Sequence, residues 1–283
     1  MEADIRMAPA RGEIIMFHLI QVGLGSGGMA VLDMVLKDQR ISKCTLIEPD
    51  VFKQHNLQRH LFGIDALGFS KVKKAFDWVK NRRPELDVQV FSSTLQESSK
   101  EQVFPPDSKE IPIGICAVDN EPAKYHWCSW MREQNVFWTL GEVLSGGIGG
   151  FVHVFSPGGP CYGCVCSHLK REGPMDGPEE KSDYSQPTSE NPKMRISASF
   201  SSIMHIASIH ALKTLEMLDG NKDPHSLLMP MKKLEGVFEK PWSAICMQIP
   251  KNPDCYFCKQ NDASSLDIDG ELARKIRELS GGI

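Results

Sequence analysis

Ile20-Gln21-Val22-Gly23-Leu24-Gly25-Ser26-Gly27-Gly28 is an apolar run that ends in a glycine turn. That is the order of a strand, a phosphate-binding loop and a helix start. Gly23, Gly25 and Gly28 fit G-x-G-x-x-G, in which the first glycine turns sharply, the second admits a phosphate to the backbone, and the third lets helix and strand pack closely. The next residues, Met29 to Leu36, have helical character, so their N-terminal amides and dipole would face the anion. Twenty residues after Gly28, Glu48 closes the strand Cys44 to Ile47, where an acid that takes ribose hydroxyls is expected. A glycine triplet alone also fits a tight surface turn. The strand, helix and acid around it make nucleotide binding the better reading.

Outward from this stretch, the chain reads as alternating strands and helices. Met16 to Val22 and Lys43 to Glu48 are strands around the first helix, which makes a βαβ unit. A polar segment, Lys53-Gln54-His55-Asn56-Leu57-Gln58-Arg59-His60, precedes a Lys-rich helix from Lys71 to Asn81. Strands follow at Val88 to Phe91 and Ile111 to Val118, the latter ending in Asp119-Asn120. A helix from Pro122 to Gln134 and a strand from Val136 to Gly141 complete a parallel half-sheet. Ligands bind at the carboxyl ends of such strands, so Glu48 and Asp119 should share one rim with the glycine loop. Gly150 to Ser156 alternates with period two and no crossover helix precedes it, which predicts an antiparallel addition. Lys170 to Lys193 is rich in Pro, Gly, Glu, Asp and Ser and reads as a mobile loop. Ser197 to Leu218 is a long helix, with Phe200, Ile203, Ile206, Leu212, Leu215 and Met217 as its expected apolar face and Gly220 as its terminator. A short helix is expected from Gly270 to Leu279.

Composition excludes several classes. The 283 residues carry a net charge of -4 and are 41% hydrophobic, enough for a core and without a basic footprint for nucleic acid. No run of eighteen apolar residues suggests a membrane span. The first thirteen residues mix charges and lack an apolar signal core, so a cytoplasmic location is expected. Nine cysteines in such a chain point to metal or thiol chemistry before disulfides.

The ordered string of Glu48, Asp50, Asn56-Leu57-Gln58-Arg59-His60, Gly68-Phe69-Ser70-Lys71 and Asp119-Asn120 is far more specific than any one part. It resembles the ThiF/MoeB/HesA superfamily, the adenylating module shared with ubiquitin-activating enzymes, from near Met16 to Cys258. The family motif usually ends in Arg-Gln, whereas here it ends in Arg59-His60; histidine can still donate one hydrogen bond. The resemblance implies an α/β fold: a Rossmann-like doubly wound, mostly parallel sheet extended by antiparallel strands, with a zinc-tied C-terminal segment. It implies a single adenylation domain over 1–283, with a nucleotide-binding half at 1–148, an antiparallel zinc-knuckle half at 149–283, and the mobile loop at 170–195. It also implies ATP and Mg2+ as cofactors, a ubiquitin-like or sulfur-carrier β-grasp protein as partner, a conjugating-enzyme or sulfurtransferase thiol as acceptor, and a homodimer. Arg6 and Arg11 are candidates to reach the neighbouring subunit's γ-phosphate.

The residues support this chemistry independently. A carboxylate attacking an anionic α-phosphate needs cations to neutralise developing charge, and Arg59 and Lys71 would supply them. Asp119 would hold Mg2+, which prefers carboxylate and phosphate oxygens. Glu48 would take the ribose, Asn56 the phosphates, and Asp50 and Asn120 complete the nucleotide set. Each has an ordinary surface role as its alternative, and Asp50 and Lys73 are evenly balanced.

Cys161-Tyr162-Gly163-Cys164 and Cys255-Tyr256-Phe257-Cys258 form two C-x-x-C knuckles, enough for a closed tetrahedral Zn2+ site. From Cys161 to Cys258 they span 97 positions, longer than a compact ribbon, so the site would tie the sheet edge to the C-terminal segment. Buried or redox-active cysteines are the alternative. A thioredoxin-like pair is disfavoured because neither knuckle is expected to open a helix after a strand. Family members that pass an activated tail onward carry a cysteine in or just after the crossover loop, yet Lys170 to Ser199 contains none. Cys166 is the nearest candidate acceptor. Cys44 and Cys116 read as core, and Cys128 and Cys246 carry no assigned role. His205 and His210 read as packing residues.

Three rival readings remain. The same module can adenylate a short peptide. A nicotinamide oxidoreductase would explain the glycines and Glu48 but leave Arg59, Lys71 and the knuckles without work. A binding-only scaffold would keep the fold without the phosphate contacts.

Overall fold

The computed structural model describes residues 15–169 and 198–259. The anticipated loop at 170–195, Arg6, Arg11 and the helix at Gly270 to Leu279 lie outside the described residues. The order of elements is β1 (Phe17–Val22), α1 (Ser26–Val35), β2 (Ile41–Ile47), α2 (Lys71–Lys80), β3 (Asp87–Phe91), α3 (Lys100–Val103), β4 (Ile111–Cys116), α4 (Glu121–Glu133), β5 (Phe137–Val143), β6 (Gly149–Phe155), α5 (Tyr162–Leu169), α6 (Phe200–Leu218), β7 (His225–Pro230), β8 (Ile245–Met247) and α7 (Tyr256–Lys259). One eight-stranded sheet runs in the order β3-β2-β1-β4-β5-β6-β7-β8. The first five strands are parallel, and β6 to β8 add antiparallel to β5. This is the mixed α/β sheet that the sequence pattern predicts.

β1 is buried along its whole length, as expected of a strand covered on both faces. Leu19 faces a cluster supplied by α1, α2 and α6, and Ile20 and Val22 face a second one built from α4, α5 and the knuckle cysteines. Gln21 Oε1 and Trp127 Nε1 lack a hydrogen-bond partner among the described residues, but the histidine and threonine side chains between these layers are paired. His18 Nε2 lies 2.8 Å from Thr45 Oγ1. His210 Nε2 lies 2.9 Å from Thr139 Oγ1, which meets Thr214 Oγ1 at 2.8 Å. Cys44 and Cys116 are core residues, and His210 is a satisfied packing residue. Among the described residues no helix is long and apolar enough to cross a membrane.

Two sequence expectations need correction. α6 begins at Phe200, because Ser199 caps it by accepting the Ser202 N–H. Its buried face is Ile203, Ile206, Ala207, His210, Ala211, Thr214, Met217 and Leu218, while Phe200 and Leu212 are exposed. Small and hydrogen-bonded polar side chains fit between α6 and the sheet, which an apolar count does not register. Second, α5 opens directly after Cys161 and follows β6, so the first knuckle does start a helix after a strand. What disfavours a redox pair is the convergence of all four knuckle thiols. Gly141, Gly149 and Gly150 are required by packing. A methyl on Gly150 would meet Glu142 O at 2.6 Å, one on Gly149 would meet Met229 O at 2.8 Å, and one on Gly141 would run into the His210 ring.

Candidate active site and metal centre

The glycine loop is held from below, by Gln21, and from the side. Gln21 Nε2 donates to the carbonyls of Gly23 at 3.1 Å and Gly28 at 2.8 Å. Gly23 adopts φ +88° and a methyl there would come within 2.5 Å of the Ala117 carbonyl oxygen. The turn and the end of β4 are thus in direct contact. A methyl on Gly28 would collide with the Gly23 carbonyl, whereas nothing lies within 4 Å of one on Gly25. The middle glycine opens onto free space at the start of α1, where backbone amides are available to an anion.

Leu24, between the first two glycines, is captured at both backbone groups. Its N–H donates to Glu48 Oε2 at 2.7 Å, while Glu48 Oε1 accepts the Asp50 N–H at 3.0 Å. Its carbonyl accepts from His60 Nε2 at 3.0 Å. His60 Nδ1 accepts the Phe62 N–H at 3.1 Å, so the ring proton sits on Nε2. Histidine in place of the family's glutamine therefore still donates, and its target is the glycine loop. Burial raises the Glu48 carboxyl above its usual range, and Lys71 and the two amides oppose that shift. Sequence reasoning placed Glu48 on a ribose; the structure gives both its oxygens backbone partners.

Lys71, the first residue of α2, is buried. Its Nζ lies 2.8 Å from Asp50 Oδ2 and 4.0 Å from Glu48 Oε1. Asn56 is buried and its Oδ1 accepts the Lys53 N–H at 2.9 Å, which shapes the turn that presents half-buried Arg59. Asp119 is exposed just past β4, two residues beyond the carbonyl that meets Gly23. Asn120 caps α4, its Oδ1 accepting the Ala123 N–H at 2.8 Å. The glycine loop, Glu48, Asp50 and Lys71 are in direct contact; Asp119 joins them through Ala117.

Burial holds three histidines neutral: His18, His60 and His210 are each pushed down to about 4 from 6.5, with desolvation the leading cause. Between those values the unfolded chain binds more protons than the folded one, so stability falls as pH drops from 6.5 towards 4. With three protons involved, the steepest slope approaches about 4 kcal/mol per pH unit. Urea unfolding at pH 7, 6 and 5 should show a falling midpoint, and a level one contradicts this account.

The four knuckle thiols meet on the opposite face. Sγ atoms lie 3.7 Å apart for Cys161 and Cys164, 3.4 Å for Cys161 and Cys255, and 3.6 Å for Cys164 and Cys258. All four are buried and within 4.8 Å of one another. A tetrahedral zinc with sulfur at about 2.3 Å has edges of about 3.8 Å, so the donor set fits Zn2+. Gly163 makes the approach of the knuckles possible, since a methyl there would lie 2.6 Å from the Phe257 ring. The Asn252 N–H points at Cys164 Sγ at 3.4 Å, the kind of contact that stabilises a bound thiolate. Cys128, unassigned from sequence, accepts the Tyr162 N–H at 3.4 Å beside this cluster. Cys166 lies against Tyr125 in the same core.

Residues 12–257 match the ThiF family. The chain belongs to the ThiF family. Ubiquitin-like modifier-activating enzyme 5 from Caenorhabditis briggsae is 25% identical over 152 residues, covering 51% of this chain and 35% of that protein. The Drosophila ananassae enzyme of that name is 26% identical over 158 residues, covering 51% and 38%. The match thus spans little more than a third of these relatives' length. Among solved structures, E. coli MccB with ATP superposes with a TM-score of 0.59 at 14% identity, covering 87% of this chain and 68% of that one. MccB with N-formylated MccA gives 0.61 at 15%, covering 86% and 67%, and PaaA gives 0.52 at 16%, covering 83% and 65%. At such identities the likeness is one of ThiF-type fold.

One cluster was not anticipated from the sequence. Lys124 on α4 is buried, with Nζ 2.7 Å from Glu121 Oε1 and 2.6 Å from Glu142 Oε1. Burial pulls its pKa down, but the two carboxylates more than offset this and hold it above its ordinary value. The Tyr162 hydroxyl donates to Glu121 Oε2 at 2.8 Å and lies 3.3 Å from Glu142 Oε1. His153 spans Glu142 Oε2 at 3.1 Å and Ser226 Oγ at 2.7 Å. Its members come from α4, β5, β6, β7 and α5, a convergence that no local motif announces.

Proposed function

We propose that this ThiF-family chain binds Mg-ATP on the glycine loop and adenylates the C-terminal carboxylate of a ubiquitin-like or sulfur-carrier β-grasp protein. The observation that carries this reading is the rim: Leu24 pinned by Glu48 and His60, an open Gly25 beside it, and the Lys71 ammonium over Glu48 and Asp50. A carboxylate oxygen bonds to the α-phosphorus as its bond to the β-phosphate bridging oxygen breaks, and pyrophosphate departs with that electron pair. Lys71 and Arg59 offset the charge developing on the phosphates, and Asp119 holds Mg2+. The zinc knuckles stay structural. The relatives named as ubiquitin-like modifier-activating enzymes favour a β-grasp substrate; the likeness to MccB is confined to fold and does not select a short peptide over it. Because half-buried Cys166 is engaged by Tyr125 at the edge of the zinc-side core, a thiol on a partner is the better acceptor. The working unit is a homodimer, for which light scattering should report twice the chain mass.

ATP–pyrophosphate exchange with diglycine-ended β-grasp proteins, run on the wild type and Asp119→Ala, tests the reading. Carrier-dependent exchange that disappears in the variant supports it. Exchange with a short peptide alone would move the substrate assignment, and turnover with NADH would replace it. The loop itself separates fold from binding. Gly28→Ala should cost about 1–3 kcal/mol in urea unfolding, because its methyl meets the Gly23 carbonyl. Gly25→Ala should unfold like the wild type yet bind Mg-ATP more weakly in calorimetry, because its methyl fills only the open space above the loop.

A further inference from the structure

The buried cluster around Lys124 has no part in the chemistry just described, yet it joins the Asp119 end of the site to the four-cysteine centre. Glu121 is the first residue of α4 and follows Asp119 and its neighbour Asn120, the α4 cap. Lys124 ties that first turn to Glu142 near the end of β5. Tyr162, between two knuckle cysteines, touches both carboxylates through one hydroxyl. Two carboxylates and an ammonium, with side-chain exposures of 20%, 11% and 6%, are a poor way to stabilise a fold, since apolar side chains of like volume would serve as well or better. What an ionic clamp adds is fixed geometry. Each carboxylate oxygen has one allowed place, and the α4 turn is locked to β5 and to the knuckle.

We propose that Lys124 is a positioning residue for Asp119, and that Tyr162 anchors this clamp to the four-cysteine centre, so that the knuckle sets the geometry of the Mg2+ site. The inference rests on the reading of Asp119 as the Mg2+ ligand. The Lys124 ammonium is engaged by Glu121 and Glu142; it acts through the backbone of the α4 first turn. Partners that orient a ligand in this way change metal affinity on removal by roughly tenfold or more.

The test is calorimetric binding of ATP across a Mg2+ titration to the full-length, zinc-loaded protein, comparing wild type, Lys124→Met, Lys124→Arg and Tyr162→Phe. Thiol-bound zinc and urea midpoint are measured alongside. Lys124→Met should raise the Mg2+ needed for half-saturation roughly tenfold, and Lys124→Arg should restore most of it. Tyr162→Phe should raise it in the same direction while keeping full zinc content. If Lys124→Met does not fold, Tyr162→Phe decides the matter. Variants that hold zinc and keep the wild-type Mg2+ dependence overturn the inference, even where their urea midpoints fall. A wild type that binds no Mg-ATP removes the functional reading itself, and this inference with it.

Discussion

Stripping the knuckle metal with a chelator, or replacing Cys161 and Cys255 with serine, should lower the thermal midpoint by about 10 °C or more, the largest stability loss expected from any change at so few atoms. Four buried thiols within 4.8 Å of one another have no apolar reason to converge. As thiolates around Zn2+ they saturate a tetrahedral ion, and the binding free energy becomes folding free energy. Without it, α5 and α7 are joined only by local packing, chiefly Tyr125 stacked on Phe257 at 4.4 Å and edge-on to Tyr162 at 5.1 Å. A bound metal would also close a loop of 94 positions between Cys161 and Cys255, which removes freedom from the unfolded chain. Circular dichroism melting with and without chelator, with zinc released to a colorimetric indicator, reads both quantities. A protein that purifies without zinc and melts unchanged in chelator refutes this account.

The glycine fingerprint was legible because its chemistry is local. Gly23, Gly25 and Gly28 lie within one turn, and the structure gives them a positive φ, an open face and a close approach. The parallel half of the sheet was legible for a similar reason, since buried strands read as continuous apolar runs. The knuckles were readable as a pair because C-x-x-C spacing brings two thiols together whatever the fold. What spacing did not convey was the distribution of partners. Glu48 has the position of a ribose acid, but its oxygens are engaged by the amides of Leu24 and Asp50. Asn56 and Asn120 resemble ligands and serve as turn and cap acceptors.

The Lys124 cluster was invisible for the opposite reason. Glu121, Lys124, Glu142, His153, Tyr162 and Ser226 are scattered over a hundred positions, and each looks like an ordinary polar residue. Only the sheet order, which sets β5 beside β6 and β6 beside β7, brings them together. The apolar face of α6 failed in a related way: His210 and Thr214 are buried because Thr139 on β5 meets them, a condition that lies outside the helix.

Lys71→Met should reduce ATP–pyrophosphate exchange by a factor on the order of 10² to 10³, the loss typical of removing one preorganised electrostatic contact from a site of this kind. In the structure the ammonium neutralises Asp50 at 2.8 Å and faces Glu48 at 4.0 Å. Methionine keeps the length and the packing of the stem but leaves those carboxylates facing an incoming triphosphate. The substitution thus removes an attraction and unmasks a repulsion, and the loss should appear in both the KM for ATP and kcat. Asp50→Asn on the Lys71→Met background should recover part of the KM, because it takes away half of the unmasked charge, while kcat stays low for want of the cation. Lys71→Arg should fall between, since its wider guanidinium keeps the charge but not the compact fit. Urea midpoints separate this from unfolding: the ion pair to the exposed Asp50 contributes little, but buried Glu48 loses a compensating cation, so the midpoint should fall while the protein stays folded at the assay temperature. If Lys71→Met exchanged pyrophosphate at the wild-type rate, this ammonium would have no part in the chemistry, and Arg59 alone would have to carry the phosphate charge.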